Sequence, residues 1–478
     1  MYGVSGTLAG QGYVRARRLF RGLPVPPLLQ PRGTDEFGPP PRTASERRAL
    51  AQVEASLDAA ARRLRLPAAA LAEARLGTAA ALRALDAAHG RGYYAVSEEA
   101  TRDPAAAQAA FAGDELVIDV QTHYVASARA AEPPARAILD FIRSVAPQRW
   151  ADLRGAAALS LAEYLRCVFV ESETALAVLS SAPGEGESNI LTNAEIAATR
   201  ELVDRLGGGG RLLHHAIVHP NLPGELDAMQ RLRERLRPDG WKVYTLYGVN
   251  QTRRGFRLDD EQTGIPFLER SRALGVRVVC AHKGFSSLAR TGSPEDVGPA
   301  AAAFPDLALL VYHSGYEAPR GEAEEEGPFL PGAVPRGTDR LVASLAAAGI
   351  PPGANVWAEL GSTWQCLVRR PREAAHVLGK LLLAVGEDRV LWGTDSIWYG
   401  SPQPLIDAFR AFRIPDELRE RHGYPELTPA IKRKILGENA ARVYGIDLAR
   451  LRERVRDDEL AWVRAALADQ RGRGSARI

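Results

Sequence analysis

The stretch "VIDVQTHYV" spans residues 117–125. A short apolar run climbs to a polar tip. Side chains two apart on a strand share a face, so Gln121 and His123 point the same way. Whatever lies beyond the tip meets an amide and an imidazole together. The run has no polar alternation along its length, which is how a strand buried in a parallel sheet reads.

Outward from this stretch the same unit recurs. "CVFVES" (167–172) reads as a strand and "ALAVLSSAP" (175–183) as the helical stretch behind it. "LLHHAIVHP" (212–220), "WKVYTLYG" (241–248), "VRVVCAHKG" (276–284), "LALLVYHSG" (307–315), "ANVWAELGS" (354–362) and "RVLWGTDS" (389–396) follow as strands. Between them lie stretches of helical period such as "GELDAMQRLRERLRP" and "PREAAHVLGKLLLAVG". About eight strand-then-helix units predict an α/β fold, a (β/α)₈ TIM barrel. A doubly wound open sheet would need a Gly-rich phosphate turn after its first strand, and none is present. The tetraglycine at 207–210 lacks the Lys-Ser/Thr of a phosphate loop and reads as a turn.

Four segments are expected. Residues 1–43, rich in Gly, Pro and Arg, read as an extended, flexible arm. Residues 44–112 form a helical N-terminal extension whose first helix opens at a Ser45 cap. Residues 113–447 form the barrel, and 448–478 a helical tail. A 478-residue chain with 46% hydrophobic and 25% charged residues can bury a large core. Its net charge of +3 is spread over 61 basic and 58 acidic residues, with no basic block of the kind that grips nucleic acid. No run reaches the roughly 18 apolar residues of a membrane span. Three distant cysteines, Cys167, Cys280 and Cys366, fit a reducing compartment. "ARRLFRG" (16–22) is twin-arginine-like, but the prolines after it break any apolar export segment, so a cytoplasmic location is expected. The extension could build a homodimer interface.

Barrel active sites form at the C-terminal ends of the strands. Those ends carry Gln121 and His123; Lys242, Tyr244 and Tyr247; His282 and Lys283; His313; Glu359; and Asp395. Each has an ordinary reading. A lone histidine can be a core residue bonded to a carbonyl, Asp395 or Ser396 can cap a helix, Glu359 can pair with an arginine, and Lys242 can be structural. Together, histidines at strands one, five and six with an aspartate at strand eight point to a metal, because imidazole and carboxylate suit zinc, iron or manganese. Such an ion lowers the pKa of water toward 7. His214, His215 and His219 are set aside as ligands, and His89, His376 and His422 fall outside the pattern.

These residues resemble the amidohydrolase superfamily, in particular the amidohydrolase-2 branch with aminocarboxymuconate-semialdehyde decarboxylase and the resorcylate-type decarboxylases. The resemblance runs over about 114–447, through "QTH", "AHKG", "YHSG", "WGTD" and the closing "KRKILGENAARVYGI" (432–446). It implies one divalent metal, zinc before iron or manganese, held by His123, His282 and Asp395. Asp395 would also be the general base and His313 the polarising or proton-transfer group. Gln121 is the departure. Its neutral amide oxygen can coordinate, can bond a water on the ion, or can mark a lost metal. In binuclear members a strand-four lysine bridges two metals; Lys242 reads as lying near the start of its strand, so one metal is expected.

The resemblance implies an enzyme acting on a small-molecule substrate. Hydrolysis of an amide, ester or lactone is the first expectation. Non-oxidative decarboxylation of an unsaturated or aromatic acid is the alternative, and a degenerate non-catalytic barrel the third. A decarboxylase needs a cation for the substrate carboxylate, with Lys283, Arg257 and Lys242 as candidates. Lys283, Trp398 and Tyr316 are expected to bind substrate. The acidic Pro- and Gly-rich segment 315–340 is either a gate over the mouth or a solvated loop.

Overall fold

The computed structural model describes residues 25–33, 38–90, 92–126, 133–146, 159–184, 189–246, 255–285, 289–318 and 325–466. The twin-arginine-like stretch, most of the expected arm, Tyr247, part of the 315–340 segment and the end of the tail lie outside them.

Eight strands pair in chain order, every pairing parallel: β1 (Val117–Thr122), β2 (Thr174–Leu179), β3 (Leu212–Ile217), β4 (Gly240–Tyr244), β5 (Val278–His282), β6 (Ala308–Tyr312), β7 (Val356–Glu359) and β8 (Val390–Leu391). The chain beyond β8 closes the ring on β1. Val120 N donates to Trp392 O (3.1 Å), Asp395 N donates to Gln121 O (2.9 Å), and Thr122 bridges Ser396. The fold is a (β/α)₈ barrel with helices in front of it. Its strands are buried on both faces, which explains their continuous apolar reading.

One strand was misplaced by the sequence pattern. Residues Arg166–Val170 are a helical turn, and β2 is Thr174–Leu179, inside the stretch expected as helix. Both runs are apolar and short, so periodicity does not separate them; register against β1 and β3 does.

The extension is built from α1 (Ala44–Leu64), α2 (Ala68–Glu73), α3 (Arg75–Ala88) and α4 (Pro104–Ala110). The cap of α1 is Thr43 rather than Ser45. Thr43 Oγ1 accepts from Glu46 N (3.1 Å) and Glu46 Oε2 accepts from Thr43 N (2.9 Å), a reciprocal box that Ser45 has no partner to form. Leu50, Val53, Leu57, Leu76 and Leu82 belong to the same apolar cluster as the outer faces of the barrel strands and helices. Part of the expected arm is docked. Val25, Leu28 and Leu29 are buried, and Arg32 Nη1 donates to Tyr399 O (2.9 Å) and Gln365 Oε1 (3.3 Å). The three cysteines are buried and form no disulfide among the described residues. Among the described residues no helix is long and apolar enough to cross a membrane.

Candidate metal centre

β1 delivers Gln121 and His123 together, as their spacing predicts. His123 Nδ1 lies 2.7 Å from Ser180 O, and a carbonyl can only accept, so Nδ1 carries the proton. Nε2 faces Asp395 Oδ1 at 3.0 Å, the distance of a hydrogen bond to the carboxylate. Trp398 stacks on the His123 ring, 5.4 Å between centroids and 9° from parallel.

His282 ends β5 and is 3% exposed. Burial, then the charge of Lys242, pushes its pKa down to about 3, so the ring is neutral at ordinary pH. It meets the His313 ring edge-on at 4.4 Å. His313 follows β6 with φ 67°, and its Nδ1 donates to Gly361 O (2.6 Å), which leaves the lone pair on Nε2.

Asp395 follows β8 with φ 62°. Its Oδ1 accepts from Gln121 Nε2 (3.1 Å) and its Oδ2 from Ser362 Oγ (2.6 Å). Burial alone would raise its carboxyl, but the hydrogen bond and charge of His123, then His313 and Ser362, hold it well below the usual range. It stands ionised among imidazoles.

Left-handed backbone gathers here. Phe285, His313, Ser314, Ser362 and Asp395 all have positive φ and all lie just past strand ends. Non-glycine residues in that region cost of order 1–3 kcal/mol each and persist where surrounding structure over-determines them. Asp119 is one reason they persist. Its Oδ1 accepts from Gln121 N (3.2 Å) and Thr394 N (3.0 Å) and its Oδ2 from Thr394 Oγ1, tying β1 to the chain leading into Asp395. Burial pushes its pKa up to about 7 against those hydrogen bonds. The sequence reading missed Asp119 and Ser362. A carboxylate inside the apolar run "VIDV" was the available signal for the first; "LGS" offered none for the second.

Among the described residues Glu359 pairs with no arginine. Its Oε2 accepts from His313 N (3.0 Å) and its Oε1 from Gly361 N (2.6 Å), and burial followed by the opposing pull of those N–H groups and the push of Asp395 leaves its pKa at about 8. Lys242 lies level with Cys280 on β5, one step below Tyr244 and His282. Its side chain nevertheless reaches the Tyr312 ring (Nζ 3.5 Å from the centroid), and its charge acts on His282 and Glu359. The expectation that it stands away from the catalytic end holds for its backbone and not for its ammonium.

Two expected substrate contacts have other employment. Lys283 Nζ is held by Asp296 Oδ2 (2.6 Å) and Thr291 O (2.7 Å) in a fully buried pair. Adjacent residues on a strand point to opposite faces, so Lys283 turns outward where His282 turns in. Tyr316 is fully buried against Phe285 and its hydroxyl donates to Glu373 Oε1 (3.2 Å). His215 lies deeper in the barrel, bonded to Tyr444 OH (2.8 Å), and His214 contacts Arg200 and Asp239.

A family ion fits this donor set. Two ligand atoms about 2.0–2.2 Å from one ion stand roughly 3 Å apart, which is the His123 Nε2–Asp395 Oδ1 separation. With Nδ1 of His123 and His313 bonded to carbonyls, Nε2 is the ring nitrogen each could offer an ion; His282 is neutral and Asp395 is ionised, as ligands must be. No group of three or more His, Cys, Asp or Glu is already gathered in ligating geometry among the described residues. The donors are the right kind, drawn in on one another.

The amidohydrolase family model matches residues 118–446. No curated protein matches the chain. Among solved structures it is similar to an uncharacterized TIM-barrel protein of Bordetella bronchiseptica (14% identity, 69% of this chain and 98% of that one, TM-score 0.47). It is also similar to a dihydroxybenzoic acid decarboxylase of Polaromonas sp. JS666, solved with manganese and an inhibitor (17%, 70% and 98%, TM-score 0.41). A third is a putative 2-pyrone-4,6-dicarboxylic acid hydrolase of Pseudomonas putida (17%, 70% and 99%, TM-score 0.41). At such scores these likenesses decide neither activity nor metal.

Proposed function

The chain belongs to the amidohydrolase family, and from that premise we propose that it is a metal-dependent hydrolase of an amide, ester or lactone bond in a small organic substrate. The observation that carries this reading is the convergence of His123, His282, His313 and the ionised Asp395 at the closed end of β1, β5, β6 and β8. His123, His282 and Asp395 would hold one divalent ion. When bound, such an ion polarises a carbonyl and brings the pKa of water toward neutrality.

The chain's own residues supply the rest. Asp395, oriented by Ser362 and Gln121, accepts a proton at its carboxylate. His313, fixed by its bond to Gly361 O, presents Nε2, where a proton can be taken up and returned to the leaving atom. The ring of Trp398 on His123 gives one wall a flat apolar surface.

Hydrolysis is preferred because the cation nearest the ligand His282 in sequence, Lys283, is bound to Asp296 and does not offer itself to a carboxylate. Non-oxidative decarboxylation is the second reading, favoured by Lys242, whose ammonium lies inside the barrel on the Tyr312 and Tyr244 rings. The test is metal content by inductively coupled plasma mass spectrometry, on protein purified without chelator, beside His282→Ala. About one ion per chain, lost in the variant, is expected; none in either protein after incubation with zinc or manganese would sink the reading. On loaded protein, release of CO₂ from carboxylated aromatics, without cleavage of lactones or amides, would replace hydrolase by lyase.

A further inference from the structure

Gln121 stands between two carboxylates. Its Nε2 serves Asp395, so its Oε1 is turned away, toward Glu359. A methyl group on Gly361 would lie 2.2 Å from Gln121 Oε1 and 2.5 Å from Glu359 Oε1. One on Gly393 would lie 1.7 Å from Glu359 Oε1 and 3.3 Å from Gln121 Cβ. Two glycines, lacking Cβ atoms, thus let these two oxygens lie close together. Gln121 is 1% exposed, and its Oε1 has no hydrogen-bond partner among the described residues. Turning the amide over moves the problem without removing it, because the oxygen would then face Asp395.

We infer that Glu359 binds the divalent ion together with the Gln121 amide oxygen, so that β7 supplies the carboxylate that β1 lacks. This rests on the metal dependence proposed above. Glu359 suits the part. Each of its oxygens is anchored by one backbone N–H, from Gly361 and His313, and a carboxylate oxygen keeps a further lone pair for another partner. The anchors immobilise the group without exhausting it. They also tie it to His313, and Ser314 Oγ donates to Glu359 O (2.7 Å), so the ends of β6 and β7 move as one piece. With Gln121, Glu359 and Asp395 as oxygen donors beside two imidazoles, the set favours manganese or iron over zinc, which prefers fewer and softer ligands.

The test is manganese affinity, by titration calorimetry on stripped protein, for wild type, Glu359→Gln, the exchange Gln121→Glu/Glu359→Gln, and His282→Ala. Glu359→Gln should weaken binding about 100-fold, and the exchange should recover most of that loss, because the negative charge returns to the neighbouring side chain. Wild-type affinity in a Glu359→Gln variant that melts normally would overturn the assignment while His282→Ala still abolished binding. If His282→Ala bound manganese like wild type, the metal reading itself would fall, and this assignment with it. Should Glu359→Gln not fold, Glu359→Asp keeps the charge one methylene short: weakened binding supports ligation, and unchanged binding overturns it.

Discussion

The mouth of the barrel and the seam between barrel and extension are wired in opposite ways. At the seam, arginines meet carboxylates. Arg75 donates to both oxygens of Asp407 (3.1 and 3.0 Å) and to Glu173, Arg410 donates to Glu115 (2.6 Å) and Glu173, and Arg369 pairs with Glu46 (3.4 Å). At the mouth, His123 Nε2 faces the Asp395 carboxylate, and an amide oxygen with no hydrogen-bond partner among the described residues lies near Glu359. The seam is finished without help. The mouth is complementary to a cation, and strained left-handed residues hold it that way. Burial alone therefore does not identify a functional site; unmet complementarity does.

The contrast can be broken at either end. His282→Ala should cost most. Wild type should gain about 4 kcal/mol of stability in manganese at roughly a thousand times its dissociation constant, and the variant nothing, by chemical denaturation with and without the ion. Next, Arg75→Ala should lose about 3 kcal/mol because it leaves Asp407 with only Gln403 and the more distant Arg410, yet keep its metal; a fall in metal content would mean that seam and mouth are not independent. Ser362→Ala removes one hydrogen bond to Asp395 and should weaken manganese binding or turnover about 10–100-fold with little change in melting.

The smallest effect lies outside both regions. His376, bonded to Tyr424 OH (3.1 Å), has its pKa pushed down to about 4 by burial and then by His422, from an ordinary 6.5. The unfolded chain takes up a proton that the folded chain refuses. The stability this contributes is present above pH 6.5 and is lost as pH falls toward 4. His376→Gln should flatten that part of the melting curve against pH, and an unchanged slope would assign the loss to other groups.

The barrel was legible because buried parallel strands must be apolar along their whole length, and eight such runs leave few alternatives. The one misreading came where two short apolar runs adjoin and only pairing with neighbours tells them apart. The spacing of Gln121 and His123, and the recurrence of His282, His313 and Asp395 at strand ends, likewise placed these side chains at one end of the barrel, since strand periodicity carries side-chain direction. The employment of each neighbour was not legible. Lys283 sits beside a predicted ligand and belongs to Asp296, whereas Lys242, a step down its strand, reaches the Tyr312 ring inside the barrel.

The sequence by itself determined the fold class and which side chains point at the barrel mouth, because both follow from local periodicity. Only the tertiary structure decided which of those side chains are already satisfied. Closure of β8 on β1 sets Asp395 against His123, and glycines 361 and 393, lacking Cβ atoms, let Glu359 come close to Gln121. Hydrogen-bond satisfaction is a property of contacts far apart in the chain, and no window of sequence contains them.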